Sequence, residues 1–459
     1  MNIPDLTRSF TRQDVFHFLY ESSDYGNLGL FVGAGFSKAV FSDTEDPVAL
    51  SWGELLKECA RQMSVDIEAP EGDSYPDIAS KLCKKHTEQK GCSFDDSCKK
   101  LKDTIADLTP WIPSSEQCTQ YGEYLELLNP AWIITTNYDR ILESLLANRH
   151  SSLGPKDAFA FRKNLIPIFH MHGIRTSPED LIIFQEDYIQ LFRPNTYRQI
   201  RLALALKEST TCLIGYGLGD INVLTAIDWS RNVFSESLGD YPHEVIQVLY
   251  TENPKPDPYR TPSKIVVIET SDLTAFFEEY REETSILRKK HNEDKESNEK
   301  ITAYFKSLTQ DDIKSFRSDE FLQENHLKSL AECNIEVIHE FVIFFSKHLE
   351  ESRLKSTVPC AFEWYTKTLN LLLDFLKVFD FKKIPPNSFR ILVEIFNKIC
   401  PYISTVPQRR EYGEAWEAGV VWGRRKNEVP EATRKELLLV SKFLNASYLE
   451  KFLKDSYPS

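Results

Sequence analysis

The sequence predicts an α/β fold in which a Rossmann-like, doubly wound parallel sheet is followed by an all-α helical region. From Leu28 to about Thr270, short runs rich in β-branched residues alternate with helical patterns, which is typical of parallel strands joined by helices. The runs are apolar on both faces, as expected for strands covered by helices on each side. Beyond Lys300, apolar residues recur with a period of about 3.6, which indicates helices alone.

Six apolar runs are the predicted strands of the sheet. They are Leu28–Val32, Trp132–Thr136, Leu165–His172, Thr211–Gly215, Val245–Tyr250 and Ile265–Ile268. Between them, apolar residues share one helical face in two stretches, namely Trp52, Leu55, Leu56, Cys59 and Met63, and Ile141, Leu142, Leu145 and Leu146. In such sheets, ligands bind at the carboxyl ends of the strands.

A charged stretch divides the chain. Nine of the thirteen residues from Arg288 to Lys300 are charged, which is typical of a solvated helix or a linker. We therefore predict a Rossmann-like domain over 1–285, a charged linker over 286–300 and an all-α domain over 301–459. Two apolar stripes support the last assignment, the first formed by Leu369, Leu372, Leu373, Leu376 and Phe379 and the second by Leu438, Val440, Phe443, Leu444 and Tyr448.

Composition excludes several classes of function. The 459 residues include 55 Lys and Arg against 69 Asp and Glu, a net charge of −14, so we expect no direct nucleic-acid partner. No apolar run is long enough to span a membrane, and we expect no membrane partner. The N-terminus from Met1 to Asp5 lacks the basic and apolar regions of an export signal. With nine unevenly spaced cysteines, we expect a cytoplasmic protein with reduced thiols.

The first candidate motif follows the first predicted strand and comprises Gly33, Ala34, Gly35, Phe36 and Ser37. Small residues there let the backbone approach a phosphate, and the N–H groups of the next helix supply hydrogen-bond donors. The third glycine of the full dinucleotide-binding fingerprint is missing. A tight strand-to-helix turn explains the same glycines, and both interpretations stay open.

The second motif ends the second predicted strand and contains Thr136, Asn137 and Asp139. Asp139 precedes a helical pattern and is expected to cap that helix. A cap needs only one such residue, so the amide of Asn137 is left to face a cleft as both donor and acceptor.

The third motif contains His170 and His172, which share a face because they lie two apart in a strand. A metal site needs three or four ligands, and no cysteine lies between Asp139 and Gly173. We therefore predict no metal here and assign a histidine at this strand end as a general base or a polar contact.

The fourth motif follows the predicted strand Thr211–Gly215. Its candidate binding residues are Gly215, Tyr216, Gly217, Asp220 and Asn222. Glycines at this position bring the backbone close to a neighbour, and Asp220 either caps the next helix or binds a ribose hydroxyl. Each motif alone is weak evidence. All four follow successive strands, however, so the fold would gather them into one site.

The order of these motifs resembles the sirtuin (silent-information-regulator) superfamily over roughly residues 15–275. The segment Thr135 to Asp139 is similar to the family's Gln-Asn-x-Asp segment, and the His-Gly pair at His172 follows it. The resemblance implies that NAD+ is the substrate, that Asn137 and His172 are catalytic, and that the first motif holds the diphosphate. It also implies that Asp139 reaches the nicotinamide amide and that Asp220 or Asn222 reaches the adenosine side. The further predicted NAD-binding residues are Thr136, Gly215, Tyr216 and Gly217.

The sequence departs from the protein deacylases of that superfamily. Their zinc module has two Cys-x-x-Cys pairs, and this chain has no such pair, so we expect no zinc. The remaining features resemble the sirtuin-like NAD-hydrolysing effectors of bacterial antiphage defence. The resemblance implies a gated NADase that depletes NAD+ in abortive infection. Implied partners are a homo-oligomer or a partner defence protein, with a phage-derived activator. The alternatives are a catalytically silent sensor or scaffold that binds NAD or ADP-ribose and, less favoured, a deacylase.

Overall fold

A computed structural model describes residues 10–44, 48–66, 74–158, 162–184, 186–187, 204–216, 244–331, 335–356, 363–379, 381–403 and 415–457. The chain divides into two compact units, Met1–Ile286 and Leu287–Ser459. Each unit has apolar clusters of its own, and the cluster of the second unit runs from Phe305 to Leu453.

The first unit begins with six helices among the residues described. They are α1 (Arg12–Asp24), α2 (Ala34–Val40), α3 (Trp52–Gln62), α4 (Tyr75–Lys90), α5 (Phe94–Leu108) and α6 (Ser115–Leu128). Helices α3 to α6 each begin after a serine, whose hydroxyl accepts from the backbone N–H three residues further on. These caps satisfy donors that the first helical turn leaves unpaired, so the sequence fixes where the four helices start.

Within the described residues, the sheet of the first unit has eight strands and is parallel except at one edge. They are β1 (Leu28–Val32), β2 (Trp132–Thr135), β3 (His150–Leu153), β4 (Ile166–His170), β5 (Thr210–Ile214), β6 (Val245–Tyr250), β7 (Tyr259–Arg260) and β8 (Val266–Thr270). Their order is β3-β4-β2-β1-β5-β6-β8-β7, with only β7 antiparallel. A short helix, α7 (Ile141–Leu146), follows β2. The predicted Rossmann-like parallel sheet is therefore confirmed.

All six predicted strands are present, and the two additional strands lie at the edges. Strands β1, β2, β5 and β8 are buried along their whole length, which is why apolar runs identified them. Strand β3 is buried only at alternate residues, and β7 has two residues. Neither strand is a continuous apolar run, so the sequence pattern did not predict them.

Strand β1 lies at the centre, paired with β2 on one side and β5 on the other. The chain moves outward from β1 through β2 and β4, and then returns to β5 on the opposite side. This reversal makes the gap between β1 and β5 the topological switch point, where ligands bind in sheets of this class. The carboxyl ends of β1, β2, β4 and β5 therefore define the candidate site.

The second unit consists of helices in the part of the chain that is described. Helix α8 (Leu273–Ser307) crosses the dividing point, so the charged residues 286–300 are helical. It is followed by α9 (Gln310–Ser318), α10 (Glu320–Ala331), α11 (Ile335–Ser356), α12 (Glu363–Val378), α13 (Pro386–Ile399), α14 (Trp416–Arg425), α15 (Glu431–Phe443) and α16 (Ser447–Ser456).

The first of the two predicted apolar stripes is buried, from Leu369 to Phe379. The second is wrong, since Phe443 is 84% exposed and Tyr448 61% exposed. Helix α15 ends at Phe443, so the proposed stripe joined residues of two different helices. The buried apolar residues of these two helices are Leu437, Leu449, Phe452 and Leu453.

Candidate functional site

Three glycines form the floor of the gap between β1 and β5. The N–H of Gly33 donates to the carbonyl of Ile214 over 2.9 Å, and that of Gly35 donates to the carbonyl of Gly215 over 3.0 Å. A Cβ on Gly33 would lie 2.6 Å from the carbonyl oxygen of Gly215, and one on Gly215 would lie 2.2 Å from the backbone nitrogen of Phe36. Gly215 also has φ +75°, which other residues rarely adopt. Backbone packing alone therefore requires these glycines.

The same hydrogen bonds occupy N–H groups that were predicted to bind a diphosphate. Gly33 and Gly35 donate to the loop after β5, and Phe36 donates to the carbonyl of Gly33 over 3.0 Å. Ala34 is the first residue of α2, and its N–H has no acceptor within its own helix. In this state the motif is a tight turn that offers the Ala34 N–H, rather than a full cradle of donors.

Asn137 is held by the loop after β1. Its side-chain nitrogen Nδ2 donates to the carbonyl of Gly33 over 3.1 Å and to the hydroxyl of Ser37 over 2.9 Å. A carbonyl oxygen can only accept, so this contact settles which end of the amide faces Gly33. Among the residues that the structure describes, no hydrogen bond reaches Oδ1 of Asn137. The amide therefore presents an acceptor in a fixed direction.

Ser37 and Asp139 complete this network below Asn137. The hydroxyl of Ser37 donates to Oδ2 of Asp139 over 2.9 Å, and Oδ1 of Asp139 accepts from the N–H of Ile141 over 3.1 Å. The second contact pairs the first N–H of α7, but the N-cap residue is Arg140, which makes no side-chain cap hydrogen bond, so Asp139, the predicted cap, lies one residue before the cap position. Burial raises the pKa of Asp139 above its ordinary value, against the opposing effect of these two hydrogen bonds. With both oxygens engaged and 4% of the residue exposed, Asp139 anchors Ser37.

Thr136 and Tyr216 join the ends of β2 and β5. Their hydroxyl oxygens lie 2.7 Å apart, and the Tyr216 ring packs edge-on against Phe31. The side chain of Gln247, in β6, donates to the carbonyl of Tyr216 over 3.1 Å. Sequence analysis missed Gln247, although a single amide in an otherwise apolar strand was a visible signal.

His172 lies in the segment after β4 and is 2% exposed. Burial lowers its pKa from 6.5 to about 3, so the imidazole is neutral at pH 7. A proton acceptor works best when its pKa lies near the operating pH. In this state His172 is therefore suited to accept a hydrogen bond, and it is a weak general base.

The segments that carry Asn137 and His172 run side by side. Thr135 pairs with His170 across β2 and β4, and the N–H of Met171 donates to the carbonyl of Thr135 over 2.9 Å. Further along, the N–H of Arg175 donates to the carbonyl of Tyr138 over 2.9 Å. The fold therefore brings these two segments to one edge of the sheet.

His170 belongs to the third sequence motif but was not assigned a place beside Asn137, and Glu143 was not singled out from the sequence. Nδ1 of His170 lies 3.1 Å from the carbonyl oxygen of Asn137, and Nε2 lies 2.8 Å from Oε1 of Glu143. Burial alone would raise the pKa of Glu143, but the hydrogen bond and charge of His170 outweigh it and lower this pKa to about 2. Glu143 falls outside the apolar pattern of α7, so its burial gave no signal in the sequence.

Comparison with known proteins identifies the domain. Residues 131–288 match the family model described as the SIR2-like domain. This part of the chain is therefore similar to the SIR2-like domain. The resemblance to sirtuins is thereby confirmed, and the match includes the segments of Asn137 and His172. The loop Gly33–Ser37 precedes the matched range.

A curated relative of the SIR2-like domain is Defense-associated sirtuin 2 of Bacillus subtilis. It is 25% identical over 116 residues, which are 24% of this chain and 12% of that protein. The chain therefore matches a small part of its relative's length, and the similarity supports a sirtuin-like assignment for that part.

Three predicted residues of the SIR2-like domain, Gly217, Asp220 and Asn222, lie outside the described residues. Within the described ranges, no group of three or more His, Cys, Asp or Glu side chains is arranged to hold a metal ion. No helix in those ranges is long and apolar enough to cross a membrane.

Proposed function

We propose that this chain is an NAD+ glycohydrolase that cleaves the nicotinamide–ribose bond and acts as an antiphage effector by depleting NAD+. Three findings support the proposal. Residues 131–288 match the SIR2-like domain, the relative in Bacillus subtilis carries a defence name, and Asn137 and His172 lie on adjoining segments at the carboxyl edge of the sheet.

The observation that carries the proposal is the fixed amide of Asn137. Because Gly33 and Ser37 hold both of its N–H donors, only its oxygen is available to a substrate. That oxygen can accept from a ribose hydroxyl or from the attacking water. Such positioning lowers the barrier because the reacting groups are already aligned.

The reaction needs no general acid. When the C–N bond breaks, its electron pair neutralises the cationic nicotinamide, and positive charge builds on the ribose. Water then adds to the ribose carbon and loses a proton, which gives ADP-ribose. We assign the neutral imidazole of His172 to accept a hydrogen bond from the water or a ribose hydroxyl, and the proton leaves to solvent because this base is weak.

Unrestrained loss of NAD+ would kill the host cell, so we propose that the activity is gated. Assembly of several copies, a partner defence protein or a phage-derived activator would release it. The helices after Lys300 are the proposed place for this control.

The direct test is to incubate the purified full chain with NAD+ and measure nicotinamide by chromatography. NAD+ is also measured in bacterial cells that express the chain, before and after phage infection. Asn137→Ala is the inactive variant, and Asn148→Ala, on an exposed helical turn, is the matched control. The proposal fails if infected cells that express the wild-type chain keep their NAD+ as fully as cells with Asn137→Ala.

One observation favours a second candidate, a silent module that binds NAD or ADP-ribose. The low pKa of His172 leaves the described part of the site with a weak base. Calorimetry with NAD+, followed by product analysis of the same sample, separates the two. The binding module is favoured if NAD+ binds with a measurable heat and is recovered intact. This result must hold both for protein purified from resting cells and for protein purified from infected cells.

A further inference from the structure

We propose that His170 and Glu143 are positioning residues that fix the backbone of Asn137, an inference that rests on the proposed function. His170 ends β4 and is 1% exposed, and Glu143 lies in the first turn of α7 with 5% exposed. Neither residue has a part in the chemistry described above. Glu143 nevertheless contacts His170, and His170 contacts Asn137, to which the chemistry is assigned.

The geometry defines the protons on His170. Nδ1 faces the carbonyl oxygen of Asn137 at 3.1 Å, and Nε2 faces the carboxylate of Glu143 at 2.8 Å. Both partners are acceptors, so each ring nitrogen must donate. Oε1 of Glu143 also accepts from the hydroxyl of Ser152 over 2.7 Å. Asp139 is the other carboxyl group that acts electrostatically on this pair.

Stability does not explain why a buried His–Glu pair occupies this position. Removing a carboxylate and its polar partner from water is costly, and apolar side chains of similar volume often serve the fold equally well. An apolar pair, however, could not donate to the carbonyl of Asn137. That contact is the feature which only a donor such as His170 can supply.

The backbone of Asn137 needs such a contact because residues 136–140 form neither helix nor strand. Its N–H donates to the hydroxyl of Thr135 over 3.0 Å, and its carbonyl accepts from His170. Gly33 and Ser37 hold its side chain. Asn137 is therefore fixed through both main chain and side chain, which determines where its amide oxygen points.

Two substitutions separate the contacts of His170. The amide nitrogen of His170→Asn can take the place of Nδ1 and still donate to Asn137, while losing Glu143. That of His170→Gln can take the place of Nε2, which keeps the contact with Glu143 and loses the one with Asn137. If His170 serves only its contact with Glu143, His170→Gln should alter hydrogen exchange and turnover less than His170→Asn. If His170 positions Asn137, His170→Asn should alter them less.

The first measurement is hydrogen exchange, followed by mass spectrometry, of the backbone amides in 136–140 of the full chain. In His170→Gln we expect exchange about tenfold faster than in the wild type, the size expected for losing one hydrogen bond. In His170→Asn we expect exchange within about twofold of the wild type. Similar exchange in the two variants, or the opposite order, overturns the proposal.

The second measurement is NAD+ turnover by the same variants. We expect kcat to fall about tenfold in His170→Gln, for the same lost contact, with KM nearly unchanged and with His170→Asn close to the wild type. If neither His170 variant folds, Glu143→Gln and Glu143→Leu replace them, and faster exchange in Glu143→Leu alone supports positioning. If infected cells that express the wild-type chain keep their NAD+ as fully as cells with Asn137→Ala, the proposed function is refuted, whereas the exchange data still decide the positioning role.

Discussion

The amide nitrogen of Asn137 lies 3.1 Å from the carbonyl oxygen of Gly33, so the residue after β2 is held by the loop after β1. The hydroxyl of Ser37 strengthens this link, because it accepts from Asn137 and donates to Asp139. Two sequence motifs a hundred residues apart thus form a single hydrogen-bonded unit.

Replacing Asn137 with aspartate should remove the activity and weaken the fold. An aspartate oxygen would face the carbonyl of Gly33, and two acceptors cannot form a hydrogen bond. We expect NAD+ turnover to fall at least about 10²-fold, the lower range for losing a key catalytic group, and the free energy of unfolding to fall by about 1–3 kcal/mol. Urea titration and nicotinamide release measure the two effects. Asn148→Asp, at an exposed position, is the control and should change neither.

Ser37→Ala should uncouple Asn137 from Asp139. The substitution leaves a buried carboxylate oxygen without its donor, which typically costs about 1–3 kcal/mol of stability. We expect a lower melting temperature and a lower kcat in the same variant, because the amide loses one of its two anchors. Ser115→Ala, on an exposed serine, is compared with it. A Ser37→Ala protein with wild-type turnover would show that this anchor is dispensable.

Two glycine substitutions should have opposite effects on stability. In Gly215→Ala the new Cβ would approach the nitrogen of Phe36 to 2.2 Å, and such overpacking costs about 1–3 kcal/mol or more. In Gly423→Ala the new Cβ meets nothing within 4 Å, and replacing glycine inside a helix stabilises by about 0.5–1 kcal/mol. Chemical denaturation of both variants measures the difference. Equal effects would contradict the packing described between the loops after β1 and β5.

Acid should destabilise the fold through His172. Its pKa is about 3 when folded and 6.5 in the reference state, so between these values the unfolded chain binds a proton that the folded chain does not. Stability therefore falls as the pH is lowered through this window, by about 1 kcal/mol from pH 6.5 to 5.5. Unfolding free energies at the two pH values should show a smaller loss in His172→Gln. His291→Gln, at an exposed histidine, should lose as much unfolding free energy as the wild type. An equal loss in His172→Gln would refute the lowered pKa of His172.

The sheet could be predicted because its central strands are buried on both faces, as the uninterrupted apolar run Leu28–Val32 shows. The partners within the site could not be predicted, because they depend on which strands are neighbours. The contact of Gly33 with Gly215 follows from the order β2-β1-β5, and no local pattern encodes that order. Glu143 was missed since α7 is so short that even a residue off its apolar face is buried.

The place of β1 also limits how the protein can be divided. The range 131–288 that matches the SIR2-like domain contains β2 and β5 but not the strand between them. A fragment cut at those limits would leave two buried strands facing each other across a gap of about 10 Å, twice the usual strand spacing. Their unpaired backbone groups would be open to pairing between molecules, so expression of the matched range alone should yield aggregates.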